Sequence, residues 1–349
     1  MKPILIYGAY GYSGRLALLH ARTLGLSVIA AGRDGAKTER VAREAGCEYR
    51  VFSLDNAADT RAALSEASVV LNCAGPFRYT SDAMIRLCLE TNTHYLDITG
   101  EYHVIENAAR YDQRAKNAAL TIMPAVGFDV VPTDCMAAYL KEKLPAATTL
   151  DLAFFAAGGM SHGTAQTMVD SLGSPSACRR DGRLVEEPLA SEVMEVPFGP
   201  KRRTVISIPW GDVASAYYTT GIPNIRTFTT ASPRAAKFLS RTTPLHGMMG
   251  IGPIRWAAKK LVSATLDGPD EETRAQGGAI IWGRASNDKG ETVEANLHTL
   301  ETYTLTYLTS VDLAKRAQEG TLPSGYQTPA GALGAEYVLW LDETEFRDL

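Results

Sequence analysis

Three glycines near the start of the chain have a spacing typical of a phosphate-binding turn. Gly8, Gly11 and Gly14 lie in the segment YGAYGYSG, between an apolar run and an amphipathic one. A strand that ends in such a turn and leads into a helix presents backbone N–H groups to a pyrophosphate. The spacing is G-x-x-G-x-x-G rather than the more usual G-x-G-x-x-G, and a plain turn that needs positive φ would explain one or two glycines but not three in register. We therefore predict a dinucleotide site.

The residues after the second apolar run indicate which dinucleotide binds. A site for NAD usually places an acidic residue there, which accepts hydrogen bonds from the ribose 2′-OH. This chain has AAGRD, in which Gly32 leaves room for the ribose and Arg33 offers a guanidinium to a 2′-phosphate. An exposed arginine at a strand end is the alternative, and Asp34 beside it argues against a phosphate. The segment as a whole favours NADP.

Two further segments are expected at the same edge of the sheet, because the strands of an open α/β sheet direct their carboxyl ends toward the ligand. Asp55, at the end of FSLD, can accept a hydrogen bond from the adenine amino group. NCAGPF brings Gly75 and Pro76 to the middle of the sheet, where a flat nicotinamide ring needs close approach of the backbone. A simple chain reversal explains the Gly-Pro pair equally well.

The first part of the chain alternates short β-branched runs with longer amphipathic ones. This β-α-β pattern, with strands that are apolar on both faces, is typical of a parallel sheet covered on two sides. We predict an α/β fold that begins with a Rossmann-type doubly wound domain over residues 1–127, in which 102–118 is one long polar-faced run.

The pattern changes after Leu144, where longer and more alternating strands are joined by Gly- and Pro-rich segments. We predict an α+β second domain for substrate binding and dimerisation over 128–324, with a mainly antiparallel sheet. A closing helix over 325–349 is expected to pack on the first domain. Thr328 and Pro329 are its predicted N-cap and first residue.

Composition excludes several functional classes. The 349 residues carry a net charge of −4, and the basic residues are spread along the chain, so a nucleic-acid partner is not expected. No apolar run is long enough for a membrane span and no leader precedes the first strand, which favours a cytoplasmic protein. The five cysteines and six histidines show no metal-ligand spacing, and neither a metal site nor disulfides are expected.

Five segments together form a familiar set: NCAGPF (72–77), HYLDITGE (94–101), PAVGFDVVPTDC (124–135), GPDEETRAQGG (268–278) and TPAGALG (328–334). They resemble the saccharopine dehydrogenase-like oxidoreductases, and more closely the short branch that includes the mycobacterial trans-acting enoyl reductases. The resemblance implies a Rossmann domain, an inserted substrate domain, a returning C-terminal helix, and NADP or NADPH in the crevice between the domains.

The glycine turn and the strand ends, together with this resemblance, define the expected cofactor contacts. Thr80 and the segment ETNTHYLD depart from the family pattern beside the presumed substrate pocket. The cofactor-binding residues are expected to be Gly8, Tyr10, Gly11, Tyr12, Ser13, Gly14, Arg33, Asp55, Ala74, Gly75, Pro76 and Phe77.

The sequence offers few candidates for acid–base chemistry. It has neither the Gly-x-Ser-x-Gly elbow of serine hydrolases nor the His-Glu-x-x-His helix of zinc proteases, and carbonyl reduction through the Tyr-x-x-x-Lys dyad of short-chain dehydrogenases is not expected. Hydride transfer needs mainly positioning and at most one proton donor. The candidate donors follow predicted strands, and dipole, capping or packing roles explain them as well: Tyr79, Asp97, Glu101, Tyr102 and Asp129.

One further segment bears on the substrate. Leu245–Ala264 is rich in Met, Ile, Trp and Leu and also carries two lysines, so it suits a lid over an apolar ligand, a surface that touches lipid, or a core or homodimer interface.

The sequence as a whole leaves three candidate functions. They are NADPH-dependent reduction of an activated C=C bond in an apolar acyl or polyketide-like molecule, oxidation or reduction at a C–N bond, and cofactor binding without turnover.

Overall fold

The computed structural model describes residues 1–157, 175–242 and 268–349. Within them the chain divides into two compact units. The first comprises Met1–Val131 and Tyr303–Ala332, and the second comprises Pro132–Thr302 and Leu333–Leu349. Strands and helices are numbered along the whole described chain.

A parallel sheet of seven strands forms the centre of the first unit. Its strands are β1 (Ile4–Tyr7), β2 (Val28–Gly32), β3 (Glu48–Val51), β4 (Val69–Asn72), β5 (His94–Asp97), β6 (Thr121–Met123) and β15 (Gly325–Tyr326), in the order β15-β6-β5-β4-β1-β2-β3. The order reverses between β1 and β4. The last residues of three central strands, Tyr7, Asn72 and Asp97, lie side by side in register at the carboxyl edge.

Helices connect these strands, as the alternating pattern predicts. They are α1 (Tyr12–Thr23), α2 (Gly35–Ala45), α3 (Ala57–Ser65), α4 (Ser81–Thr91), α5 (Tyr102–Ala109), α6 (Asp112–Asn117), α11 (Thr302–Gln318) and α12 (Pro329–Leu333), with a short 3₁₀ helix at Phe77–Tyr79. Asn56 begins α3 by accepting hydrogen bonds from the N–H groups of Ala58 (3.1 Å) and Asp59 (3.3 Å). The run predicted over 102–118 is two helices.

The second unit is built on a mainly antiparallel sheet. Its strands are β7 (Thr149–Ala157), β8 (Ser176–Arg180), β9 (Arg183–Glu187), β10 (Val193–Phe198), β11 (Lys201–Ser207), β12 (Asn224–Thr230), β13 (Gly278–Ser286), β14 (Thr292–Leu300) and β16 (Glu345–Asp348). Among the described strands of this second sheet, only β7 and β12 pair in parallel. The helices are α7 (Val131–Lys143), α8 (Asp212–Thr220), α9 (Pro233–Thr242) and α10 (Glu271–Gln276). Trp282 and Phe228 fill the core of this unit.

The two sheets confirm the predicted fold class, but the division into units differs from the predicted boundaries of 1–127, 128–324 and 325–349. Helix α11 belongs to the first unit, where its Thr309 hydroxyl donates to the carbonyl oxygen of Val126 (2.8 Å). Long-range packing of this kind leaves no local signal in the sequence. The segment Leu245–Ala264 lies outside the described residues.

The predicted closing helix is wrong in most of its length. Thr328 does cap α12, since its hydroxyl accepts from the N–H of Gly331 (3.1 Å). The helix then ends at Gly334, whose φ of +85° only glycine adopts readily. A 3₁₀ helix (Ala335–Trp340) follows, and β16 pairs with β14 of the second sheet rather than with the first unit.

The close contact of Gly14 with the turn before α1 predicts an asymmetry between two glycines. A Cβ on Gly14 would lie 2.3 Å from the backbone oxygen of Gly8, whereas a Cβ on Gly11 would lie 3.2 Å from it. We expect Gly14→Ala to lower the free energy of unfolding by about 1–3 kcal/mol or more, because backbone must move. Gly11→Ala should cost clearly less in the same urea titration, and equal losses would contradict this packing.

Candidate functional site

The glycine turn after β1 leaves the N-terminus of α1 open. Gly8 has φ of +81°, its N–H donates to Ala31 of β2 (2.8 Å), and its carbonyl accepts from Gly11 (2.9 Å). Gly11 is the N-cap, without a side-chain cap, and the first turn, which includes Tyr12 and Ser13, holds no acidic residue. The positive end of the helix dipole therefore faces an edge that suits an anion, and the glycines let the backbone of the turn pack closely against itself and against Ala74.

The end of β2 carries the residues predicted to select the dinucleotide. Arg33 is exposed directly after the strand. The space over Gly32, predicted to hold the ribose, is taken instead by the Tyr10 ring, whose Cε1 atom would lie 2.5 Å from a Cβ at that position. Asp34 caps α2, accepting from the N–H of Lys37 (3.0 Å), so its carboxylate is committed to the helix rather than to a ribose.

Asp55 and the turn after β4 lie at the same carboxyl edge. Asp55 is exposed, and its carboxylate accepts from the hydroxyl of Ser53 (2.9 Å). The Gly75–Pro76 peptide bond is cis, and the Phe77 ring packs 3.4 Å from the Cβ position of Gly75.

Asn72 and Thr80 fix the first half of this turn. The buried Asn72 side chain accepts from the N–H of Ala74 (3.0 Å) and donates to the Thr80 hydroxyl (3.2 Å). That hydroxyl in turn donates to the carbonyl oxygen of Ala74 (2.9 Å). A glycine at position 80 would lose both contacts, which gives the departure from the family pattern a structural reason.

A buried carboxylate joins the loops that follow β4, β5 and β6. Asp97 Oδ1 accepts from the N–H groups of Thr99 (3.0 Å) and Ala125 (2.9 Å), and Oδ2 accepts from the Tyr95 hydroxyl (2.6 Å). Asn72 donates to that hydroxyl (3.3 Å), so the network reaches the β4 turn. Burial raises the pKa of Asp97 to about 6. Its three donors make Asp97 a structural centre of this edge.

Glu101 and Asp129 lie next to each other at the ends of β5 and β6. The Glu101 carboxylate accepts from the N–H groups of Phe77 (2.6 Å) and Arg78 (3.3 Å). A Cβ on Gly100 would lie 2.6 Å from Asp129 Oδ2, so glycine is needed to admit that carboxyl. Burial, and secondly the Glu101 charge, raise the pKa of Asp129 to about 7.

The two candidate tyrosines have different surroundings. Tyr79 is 70% exposed, and the Arg78 guanidinium lies 4.8 Å from its ring centroid. Tyr102 is partly buried at the start of α5, and its ring meets the His103 ring edge-on at 5.4 Å. Both follow strand ends of the first unit, as predicted.

One catalytic spacing that the sequence analysis discounted does occur. Tyr139 and Lys143 of α7 have the Tyr-x-x-x-Lys spacing of short-chain dehydrogenases. They lie in the second unit, where the Tyr139 hydroxyl donates to Asp348 (2.9 Å), Lys143 pairs with the same carboxylate, and the Tyr139 ring stacks on Phe346 (4.1 Å). The pair therefore joins α7 to β16.

Sequence reasoning missed Asn72, Tyr95 and Thr99 as members of the site. A signal was present, because Asn72 ends an otherwise apolar strand and polar groups in such positions are buried only with partners. No group of three or more His, Cys, Asp or Glu side chains suited to a metal occurs in the described ranges. The helices of those ranges include none that is long and apolar enough to cross a membrane.

The raised pKa values of the two carboxyls predict how stability depends on pH. A carboxyl whose pKa is higher in the folded than in the unfolded chain binds more protons when folded, so the free energy of unfolding falls as pH rises from about 4 through about 7. Asp129→Asn should flatten this fall. Urea titrations at several pH values measure it, and parallel curves for the two proteins would contradict the prediction.

Comparison with known proteins supports the cofactor assignment. Residues 4–123 match the family model of the saccharopine dehydrogenase NADP binding domain. The Bos taurus saccharopine dehydrogenase-like oxidoreductase is 27% identical over 161 residues, which cover 40% of this chain and 38% of the relative. A trans-acting enoyl reductase of Mycobacterium ulcerans is 28% identical over 202 residues, covering 53% of this chain and 48% of the relative. The chain thus spans half or less of the length of these relatives.

The fold also matches a solved structure over the whole chain. The structure of saccharopine dehydrogenase (L-Glu forming) from Saccharomyces cerevisiae superposes with a TM-score of 0.66 at 11% identity, covering 100% of both chains. At that identity the match bears on the fold alone. With the family model and the glycine turn, these comparisons confirm the resemblance seen in the sequence: residues 4–123, which lie in the first unit, are similar to the NADP binding domain of saccharopine dehydrogenase, and the cofactor that this match indicates is NADP.

Proposed function

We propose that the chain is an NADPH-dependent oxidoreductase that reduces an activated C=C bond in an apolar acyl or polyketide-like molecule. The proposal that NADPH is the cofactor rests on the N-terminus of α1, which follows the Gly8–Gly14 turn and has no side-chain cap, and on Arg33, which is exposed at the end of the neighbouring strand. The enoyl reductase part is supported by the name of the mycobacterial relatives. Homodimer formation and a cytoplasmic location stay predictions.

Each part of NADPH has a suitable group along the carboxyl edge of the sheet. The N–H groups at the start of α1 would bind the pyrophosphate, Arg33 the 2′-phosphate and Asp55 the adenine. The turn at Gly75 and Pro76 would approach the nicotinamide. When bound, NADPH supplies a hydride, and the chain's own residues bind and orient the reacting partners.

The proton that accompanies the hydride has two candidate sources in the first unit. Tyr79 is exposed beside the turn, where water competes with it as a donor. Asp129 has a pKa raised to about 7, so a substantial part of its carboxyl keeps its proton near neutral pH. Because few groups of this kind are present, positioning is expected to supply most of the rate enhancement.

A second candidate is chemistry at a C–N bond, as in saccharopine formation. It needs arginines that bind substrate carboxylates, and the second unit has two arginine pairs to consider, at 179–180 and 202–203. Arg179 and Arg202 donate to backbone carbonyls, and Arg180 lies near a glutamate. Arg203 favours this candidate, because its buried Nε has no hydrogen-bond partner among the described residues and its guanidinium lies 3.8 Å from the Phe155 ring centroid. Enone and imine substrates assayed side by side discriminate the two.

Cofactor preference should depend on Arg33. A hydrogen bond to a charged group contributes about 1.5–3 kcal/mol, so Arg33→Ala should weaken NADPH binding about tenfold or more and leave NADH nearly unchanged. Calorimetric titration with each cofactor measures this. Equal losses would mean that the preference arises elsewhere.

Direct hydride transfer tests the proposed reaction itself. With NADPH deuterated at the transferred position, deuterium should appear on the product carbon, and Tyr79→Phe should slow turnover by far less than the about 10²–10⁴-fold loss typical of an essential general acid. Unlabelled product from an enzyme that consumes NADPH would exclude direct transfer. Absence of any NADPH consumption with enones or imines would favour the third function, a cofactor-binding scaffold.

A further inference from the structure

A side chain from outside the β4–α4 segment holds the second half of the turn that follows β4. Both oxygens of Glu101 accept backbone N–H groups, Oε1 from Phe77 (2.6 Å) and Oε2 from Arg78 (3.3 Å). The Glu101 side chain is only 9% exposed, and His103 Nε2 lies 3.4 Å from Oε2. Glu101 itself is fixed in turn, because its N–H donates to the Thr99 hydroxyl (3.0 Å).

The chemistry of this contact requires a carboxylate. Two convergent N–H donors need two acceptor atoms, and an ionised carboxylate provides them, whereas an amide provides one acceptor and one donor. A glutamine at this position would turn an N–H₂ group toward one of the backbone donors. A carboxylate engaged in this way is a poor proton donor, so the geometry argues against the acid role that the sequence allowed for Glu101.

The position of the turn in the sheet indicates what it borders. The strand order reverses between β1 and β4, and a dinucleotide lies across such a point. Arg33 and Asp55 follow β2 and β3, on one side of it. The turn at 75–78 follows β4 on the other side, next to β5 and its Glu101. If the adenosine half lies with Arg33, the nicotinamide half lies with this turn.

We infer that Glu101 is a positioning residue, which clamps the Pro76–Arg78 turn in the place that binds the nicotinamide half of the cofactor. This inference rests on the proposed NADPH-binding function. Glu101 acts through the turn rather than by contact with the reacting atoms. Its loss should therefore weaken the contacts of one half of the cofactor and spare the other half.

Two ligands separate the halves. NADPH contacts both, whereas 2′,5′-ADP carries the adenosine and the 2′-phosphate without the nicotinamide. For Glu101→Gln we expect the Kd of NADPH to rise about tenfold and the Kd of 2′,5′-ADP to change less than about twofold, both by calorimetric titration. The matched control is Glu90→Gln, an exposed glutamate paired with Arg61 on the surface, which should change neither Kd.

Three outcomes are decisive. Unchanged NADPH affinity in Glu101→Gln would overturn the inference, because the Glu101 contact would then have no effect on cofactor binding. Equal losses of affinity for both ligands would also overturn it, because they would indicate general damage to the fold. Failure of the unsubstituted protein to bind either ligand would instead contradict the proposed function. If Glu101→Gln does not fold, as judged by thermal unfolding, Glu101→Asp takes its place. Aspartate keeps two acceptor oxygens, but its side chain is one methylene shorter and does not reach both N–H donors. We again expect a larger rise in the Kd of NADPH than in the Kd of 2′,5′-ADP.

Discussion

The Asp97 carboxylate is buried where three loops of the first sheet meet, and its hydrogen bonds determine their arrangement. It accepts N–H groups from the segments after β5 and β6 and the hydroxyl of Tyr95, which leads to Asn72 and the β4 turn. A buried carboxylate is stable only when such donors surround it. Buried hydrogen bonds therefore fix the backbone of the loops that would contact a cofactor, and the exposed groups of the edge remain available for ligand contacts.

In this arrangement, the groups that face a ligand differ from those that hold the loops in place. Arg33 and the N–H groups of α1 face the exposed edge, whereas Asn72, Asp97 and Glu101 act on the backbone of the loops. Interior hydrogen bonds hold backbone more rigidly than exposed ones, because water does not compete for the same donors. An edge of this kind suits a reaction in which positioning matters more than a dedicated acid or base.

Sequence patterns predicted the parallel sheet well, because its strands are short apolar runs separated by amphipathic helices and their period is a local property. They did not predict the elements whose position depends on contacts between residues far apart in the sequence. The return of α11 to the first unit depends on Thr309 meeting Val126, and β16 depends on pairing with β14 across the chain. Glycine spacing correctly predicted a turn between β1 and α1, but the Tyr10 ring over Gly32 and the buried partners of Asp97 depend on three-dimensional contacts that no spacing encodes.

We propose that one edge of the first sheet binds NADP in a defined orientation. A crystal structure of the protein with NADP⁺ tests it most directly. We expect the pyrophosphate at the N-terminus of α1, the 2′-phosphate at Arg33 and the nicotinamide at the turn formed by Gly75 and Pro76. Cofactor bound in the reverse orientation, or at a place away from the carboxyl ends of β1, β2 and β4, would contradict it.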